Sequence, residues 1–518
     1  MDFIKANLLT IITFSPLVGM ALVLITPPQR VRLIQWGSIA FSLIPLGLSL
    51  FMWASYDTAQ AGFQFRQQAV WFPQVNASYH VGVDGISMPL VVLTTFLQPL
   101  ALLMSLRIER GVKAFFALFF LLETAVLGSF VALDLLLFFL FYEIGLVPMY
   151  FLIAQWGGQN RRYASFKFIL YTMFASLGML LAIQVVGIAS GSFDLLYLFS
   201  ELGRPFTGNN TVKFLFDDPN TWKAVAFFAF SIAFALKIPI WPLHTWLPDA
   251  HTEAPTGGSM ILAGILLKLG GYGFLRMVIP LFPEAAAQFA PLLALLALLS
   301  IVLGAFAAWG QNDFKKLVAY SSVNHMGFVA MGIAAAAVMA ANADQRTDAV
   351  IALSGATLQM VTHGLSSAAM FALVGVVYER AHTRDLTRFG GLWSIMPIYG
   401  AILIFCSMGS LGLPGLSGFV SEFMVVRGAW PALTPYVVLA MAGLLVTGIY
   451  ILKSLQKVLH GPLGEEWRHH PLPDIHWTET LAVAPLMVMM LALGVYPLLA
   501  LNVINIGALD IFRVLPGG

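Results

Sequence analysis

Residues 222–276 read WKAVAFFAFSIAFALKIPIWPLHTWLPDAHTEAPTGGSMILAGILLKLGGYGFLR, and this stretch decides the fold. Two apolar runs of membrane-spanning length each hold one lysine well inside, Lys237 and Lys268, on either side of a connector rich in proline and histidine. An ammonium at membrane depth costs about 2.5–3.5 kcal/mol on insertion scales, so such residues are rare and face a polar interior. Pro239 follows Lys237 almost at once. A proline there removes helical hydrogen bonding beside the charge, a construction that recurs at transporter ion sites. The rest of the chain reads as scaffold for these charges.

The composition agrees. Of 518 residues, 59% are hydrophobic and only 10% charged, more apolar than a soluble core of this size could use. With 45 Gly and 27 Pro the chain suits closely packed, locally interrupted membrane helices. A net charge of +2 gives no basic surface for nucleic acid, and the single cysteine, Cys406, excludes an intrachain disulfide, a Cys-ligated cluster or a CxxC redox site. Cys406 is expected to be a small apolar packer. The first apolar run ends in PPQR without a small-residue cleavage site, so it reads as a retained helix.

At about 20 residues per span, the sequence predicts an all-α polytopic membrane protein of about fourteen transmembrane helices. They fall near 4–25, 32–54, 84–106, 114–133, 135–156, 163–190, 222–241, 256–279, 289–310, 316–340, 349–378, 396–427, 433–457 and 478–500. Loops after odd-numbered helices carry 16 Lys and Arg and the opposite side 9, which places the first set in the cytoplasm and both termini outside. The outer loops at 55–83 and 191–221 are polar, mixed in sign and without a catalytic motif.

Charge spacing suggests an internal repeat. Asp134 precedes Glu143 by 9 residues, as Lys316 precedes His325; Glu143 precedes Lys237 by 94, as His325 precedes Glu422 by 97; Lys237 precedes Lys268 by 31, as Glu422 precedes Lys453. Matched elements are five helices apart, an odd number, so the second unit is inverted in the membrane. The predicted layout is three N-terminal helices in 1–110, a first five-helix repeat in 111–280, an inverted second in 281–460, and a last helix with its tail in 461–518. The seventh helix breaks at Lys237–Pro239, and the twelfth at SLGLPGLSGFVSEF (410–423), which sets Glu422 beside broken backbone.

Each charge has a functional and a structural reading. Glu143, flanked by Phe138, Phe139, Phe141 and Tyr142, either pairs with Lys237 as a proton switch or locks two helices as a neutral hydrogen-bonded acid. Lys268, among Gly270, Gly271 and Gly273, is either the next carrier or a snorkelling side chain. His325, near Ser321, Ser322 and Asn324, passes a proton or simply packs, and His363 is a weaker version of the same. Lys453 suits interfacial anchoring, and Asp134 suits capping of a helix N-terminus. Glu109 and Glu123 also lie in or near spans. His244, Asp249, His251 and Glu253 crowd the connector without metal-ligand spacing and read as a polar vestibule leading to Lys237. There is no Walker, dinucleotide or haem signature.

FYEIGLVPMYFLI (141–153), FALKIPIWPLHTWLPDAHTEAPTGGSMILAGILLKLGGYG (234–273), KKLVAYSSVNHMGFV (315–329) and GLPGLSGFVSEF (412–423) resemble the signatures of the antiporter-like membrane subunits of NADH–quinone oxidoreductase, respiratory complex I. The resemblance runs from about residue 80 to 460. Sodium/proton antiporter subunits and membrane-bound hydrogenase subunits belong to the same wider group. A glutamate at 422, and an end soon after the fourteenth helix, resemble the M-type subunit more than the L- and N-type. The resemblance implies a proton channel driven by quinone chemistry elsewhere. Glu143 and Lys237 would form its coupling pair, Lys268 the central relay, His325 the link between half-channels and Glu422 the outlet. No cofactor is expected in this chain; NADH, FMN, iron–sulfur clusters and quinone are expected in partner subunits. The implied surroundings are the bilayer of a bacterial inner membrane, with L- and N-type neighbours beside the chain. The competing expectation is a secondary sodium/proton antiporter module.

Overall fold

The computed structural model describes residues 6–202, 219–340 and 342–515; the basic residues Lys5, Arg204 and Lys213, and most of the 191–221 loop, lie outside it. Helices α1 (Leu8–Ile25) and α2 (Val31–Ala54) lead to an antiparallel hairpin of β1 (Gln64–Phe72) and β2 (Ala77–Val83). There follow α3 (Ser87–Leu103), α4 (Val112–Val131), α5 (Leu135–Ile144), α6 (Leu146–Trp156), α7 (Arg161–Ser190), α8 (Leu195–Leu202), α9 (Pro219–Lys237) and α10 (Trp246–Glu253). Next come α11 (Thr256–Leu281), α12 (Pro283–Trp309), α13 (Phe314–Met339) and α14 (Arg346–Ala381). The chain then runs through α15 (Pro397–Leu411), α16 (Ser417–Leu459), α17 (Trp477–Val495) and α18 (Leu498–Val514).

Eleven of the described helical spans are long and apolar enough to cross a membrane; α3 and α15 are shorter apolar helices. Helix α16 holds two expected spans, joined across a non-helical residue, Leu433, between Pro431 and Pro435. The two predicted breaks are present: α9 stops at Lys237, and residues 412–416 separate α15 from α16. Three features differ from the sequence reading. Residues 64–83 pair as a hairpin, so the fold is not helical throughout; the alternation QFRQQAVWF is short and mostly exposed and gives no core-facing stripe. The fifth span is interrupted at Gly145. The tail after the fourteenth span is a helix, α18, which packs against the β2–α3 turn so closely that a Cβ on Gly85 would lie 2.1 Å from Val503 O.

The polar ends of the helices sort by side. Ion pairs among Arg107, Glu379, Arg380, Glu479, Arg384, Asp313, Arg388 and Glu466, and between Lys167 and Asp249, join segments on one side of the spans. His80–Asp194, Arg276–Asp84, Arg427–Asp348 and Arg513–Asp510 join segments on the other. These are the sides that alternation of the loops assigns to cytoplasm and exterior. None of the described ion pairs joins one side to the other.

A short backbone pattern occurs twice, once at each side. Asp134 caps α5 by accepting from Leu136 N and Leu137 N, and bridges to Asp194 through Leu135 N→Phe193 O and Leu195 N→Leu133 O. Asp313 caps α13 by accepting from Lys315 N and Lys316 N, and bridges to Asp385 through Phe314 N→Arg384 O and Leu386 N→Asn312 O. The donors and acceptors stand at the same offsets from the two aspartates. Asp134 therefore corresponds to Asp313 rather than to Lys316. Glu143 lies 9 residues from its cap and His325 lies 12 from its own, about one helical turn deeper.

Candidate functional site

The first charge site forms where two helices stop. Asp134 fixes the start of α5, which leaves Glu143 in its last turn, half-buried, with Ser176 of α7 beside it. Lys237 ends α9 at 1% exposure; its Nζ lies 4.9 Å from the Tyr142 ring centre and 6.0 Å from that of Phe168. The ring faces carry negative quadrupole and partly replace the lost water. Among the described residues no hydrogen-bond partner reaches Lys237 Nζ or Glu143 Oε1. The expected Glu143–Lys237 pair is thus open in this structure, two charges within electrostatic reach but without direct contact.

The connector after Lys237 is tightly tied. Trp246 Nε1 donates to Leu236 O (3.0 Å), Trp241 N donates to Ser300 Oγ (2.8 Å), and Lys167 Nζ binds Asp249 Oδ2 (2.7 Å). Glu253 accepts from Asn160 N at 2.9 Å. Both acids thus tie the connector to α7 and the turn before it. His251 is no part of an open vestibule: it is fully buried and stacked on Phe371 at 4.3 Å, with neither ring nitrogen partnered among the described residues. His244 stays partly exposed.

Lys268 sits at the centre of α11 at 0% exposure and does not snorkel. Two π-helical stretches, Leu262–Leu266 and Phe274–Val278, flank its segment; such wide turns occur often at functional sites. Lys268 Nζ donates to Ala263 O in the first wide turn (2.5 Å) and lies 2.7 Å from His363 Nδ1 of α14. The neighbouring glycines permit close approach rather than bending. A Cβ on Gly270 would stand 2.6 Å from Phe234 O and 2.7 Å from Ile238 N, so the broken end of α9 rests directly on α11.

The His363 and His325 rings are 5.9 Å apart. His325 Nδ1 lies 2.7 Å from Glu422 Oε1, which also accepts from Gln359 Nε2 at 3.1 Å. Ser421 and Thr362 donate to Gln359 Oε1 at 2.5 and 3.2 Å and hold the amide in the orientation that presents its nitrogen to Glu422. Beside the two imidazoles is a cavity of about 20 Å³ lined by Ser321, Ser322, His325, His363, Ser366 and Ser454. A space of that size with several polar walls holds about one water. Lys268, His325 and Glu422 are therefore joined through His363 into one buried polar line. No described side-chain contact joins Lys237 to Lys268. Sequence reasoning gave His363 only a weaker version of the His325 reading and did not single out Gln359; the signal available was their separation of four on one helix, which puts both on one face. Glu123 of α4 is buried, and neither carboxylate oxygen is partnered among the described residues. Lys453 lies against Trp309 at a helix end, as an anchor would.

The NADH:quinone oxidoreductase/Mrp antiporter transmembrane family matches residues 132–449. NADH-quinone oxidoreductase subunit M of Rhodobacter capsulatus is 41% identical over 507 residues, covering 96% of this chain and 95% of that protein. NAD(P)H-quinone oxidoreductase chain 4 3 of Trichormus variabilis is 39% identical, covering 99% and 92%. Among solved structures, a chain of respiratory complex I from Thermus thermophilus superposes with a TM-score of 0.85 at 29% identity, covering 98% and 100%. A chain of the Mrp complex of Dietzia shares the fold at a TM-score of 0.82 and 19% identity. With its two broken spans, its buried lysines and a match over more than half its length, the chain belongs to the NADH:quinone oxidoreductase/Mrp antiporter membrane family.

Proposed function

We propose that this chain is the M-type proton-translocating subunit of a bacterial complex I, in the inner membrane. Its energy comes from NADH oxidation and quinone reduction in other subunits, which hold the FMN and iron–sulfur clusters. The observation that carries the reading is the buried row Lys268–His363–His325–Glu422, with 2.7 Å contacts at both ends and the two imidazoles 5.9 Å apart beside a cavity of about one water. Each member gives or takes a proton through nitrogen or carboxylate oxygen, and an imidazole passes one by accepting at one ring nitrogen and releasing at the other. Glu143 and Lys237 form the cytoplasmic loading site. When the carboxylate approaches, Lys237 holds its proton; when it withdraws, as in this open arrangement, the buried ammonium is unpaired and releases it. Moving one charge against 100 mV costs about 2.3 kcal/mol, so a few kcal/mol of electrostatic coupling per step suffices.

The chain is further proposed to consist of two inverted units, 111–280 and 281–460. The two capped aspartate bridges support this, because four candidate spans and the broken helix α9 lie between Asp134 and Asp313, an odd number in all. L- and N-type subunits are the proposed neighbours.

Glu143→Gln and Lys237→Ala are expected to leave the complex assembled while removing most NADH-driven proton uptake into inverted vesicles. Full pumping in both assembled variants would sink the reading. A sodium/proton antiporter module is the competing assignment, because the family includes Mrp proteins. Co-purification separates the two: NADH dehydrogenase subunits should accompany the tagged chain, and their absence together with sodium-dependent ΔpH would reverse the assignment.

A further inference from the structure

The polar face of α11 does not end at Lys268. Tyr272 and Arg276 follow at intervals of four, at 0% and 3% exposure, and lead from the relay toward the outer side. Arg276 Nε donates to Tyr272 Oη (3.2 Å), and Tyr272 Oη donates to Phe130 O (3.0 Å). The hydrogen bonds therefore run inward from the guanidinium and stop on a backbone carbonyl. At the outer end Arg276 Nη2 lies 2.5 Å from Asp84 Oδ1, an oxygen that also accepts from Ile86 N, Ser87 N and Ser87 Oγ. The Phe63 ring just before β1 covers the guanidinium at 4.6 Å. Helix α18 closes over the adjoining turn at Gly85.

We propose that Arg276, held by Asp84, is the outer plug of the half-channel containing Lys268, so that a proton on Lys268 leaves only sideways through His363. This rests on the proton-channel reading above. Two properties make the pair a plug rather than a carrier. A guanidinium cannot lose its proton in a protein, so nothing passes through Arg276. The carboxylate oxygen that faces Arg276, Asp84 Oδ1, is already occupied by four donors. A fixed buried arginine is also a known means of excluding protons from a polar pore. Arg276 is thus a positioning residue, one that sets direction and takes no part in transfer.

Arg276→Lys tests the proposal, since it keeps the charge and the pairing with Asp84 but introduces a group that deprotonates when buried. Vesicles containing the assembled complex would be given an acid jump without NADH, and the decay of ΔpH followed. The variant is expected to leak protons several-fold faster than the parent chain, to keep its uncoupled NADH:quinone turnover, and to lose the leak when Lys268→Met is added. An ion pair of purely structural role would survive the lysine and stay tight. Wild-type tightness, or a leak that persists with Lys268→Met, overturns the plug. Should Arg276→Lys fail to assemble, Arg276→Gln, which frees Asp84 as an acceptor, is judged by the same decay. Failure of the channel reading itself is a separate result: it is normal NADH-driven pumping in Lys268→Met alone.

Discussion

At the scale of single residues, the chain uses lysine and histidine in direct contact where a carboxylate would be the simpler partner. Lys268 and His363 meet at 2.7 Å, the same separation as His325 and Glu422. His363→Leu should therefore halt pumping as fully as Lys268→Ala, with assembly intact; proton uptake per NADH in the purified complex decides it. Glu422→Lys should keep part of the activity, because the protein already accommodates a lysine against an imidazole at the other end of the line. A well-assembled but inert Glu422→Lys would count against that equivalence. The charges themselves were legible in the sequence, since lysine and glutamate stand out in apolar runs. Their connection was not. His363 meets a lysine 95 positions away and lies in α14, whose 36 residues carry no proline, so nothing local marks it.

At the scale of elements, interruptions set the geometry. Proline and glycine announce the breaks after Lys237 and before Glu422, and both appear where they were expected. The stop at Gly145 and the two wide turns of α11 carry no such mark, because a π turn depends on packing rather than on one breaking residue. Gly270→Ala should lower the stability of the fold by about 1–3 kcal/mol, since its Cβ would press on the backbone of α9, which cannot turn aside; thermal unfolding of the solubilised chain would register the loss. The outer hairpin gives a pH test. Burial pushes the Asp194 carboxyl up, but the hydrogen bond to His80 and those from Tyr197 N and Leu196 N outweigh it and hold it below its usual range. Stability from a lowered carboxylate is present above its unfolded value near 4 and is lost as pH falls through the lowered folded value. Asp194→Asn should therefore lower the melting temperature at pH 7 and progressively less below pH 4.

At the scale of the whole molecule, two polar ends enclose an apolar middle crossed by one buried line. The excess of Lys and Arg in alternate loops gives the expected orientation, and the ion pairs sort into the same two ends. Cys406 is buried, so the chain has little background for thiol labelling. Thr58→Cys should react with an impermeant maleimide added outside, and His470→Cys only in inverted vesicles; the reverse pattern would invert the topology. The proposed repeat was suggested by charge spacing, and the pair of capped aspartate bridges that supports it has offsets that appear only once the chain is folded. Spacing alone matched Lys316 to Asp134, whereas the backbone pattern pairs Asp134 with Asp313, three residues earlier.

Those two bridges meet different media. In the expected orientation the Asp134–Asp194 bridge lies at the outer end of the spans and the Asp313–Asp385 bridge at the inner end. Each ties the start of a helix to a neighbouring segment through main-chain hydrogen bonds, which carry no titratable group of their own.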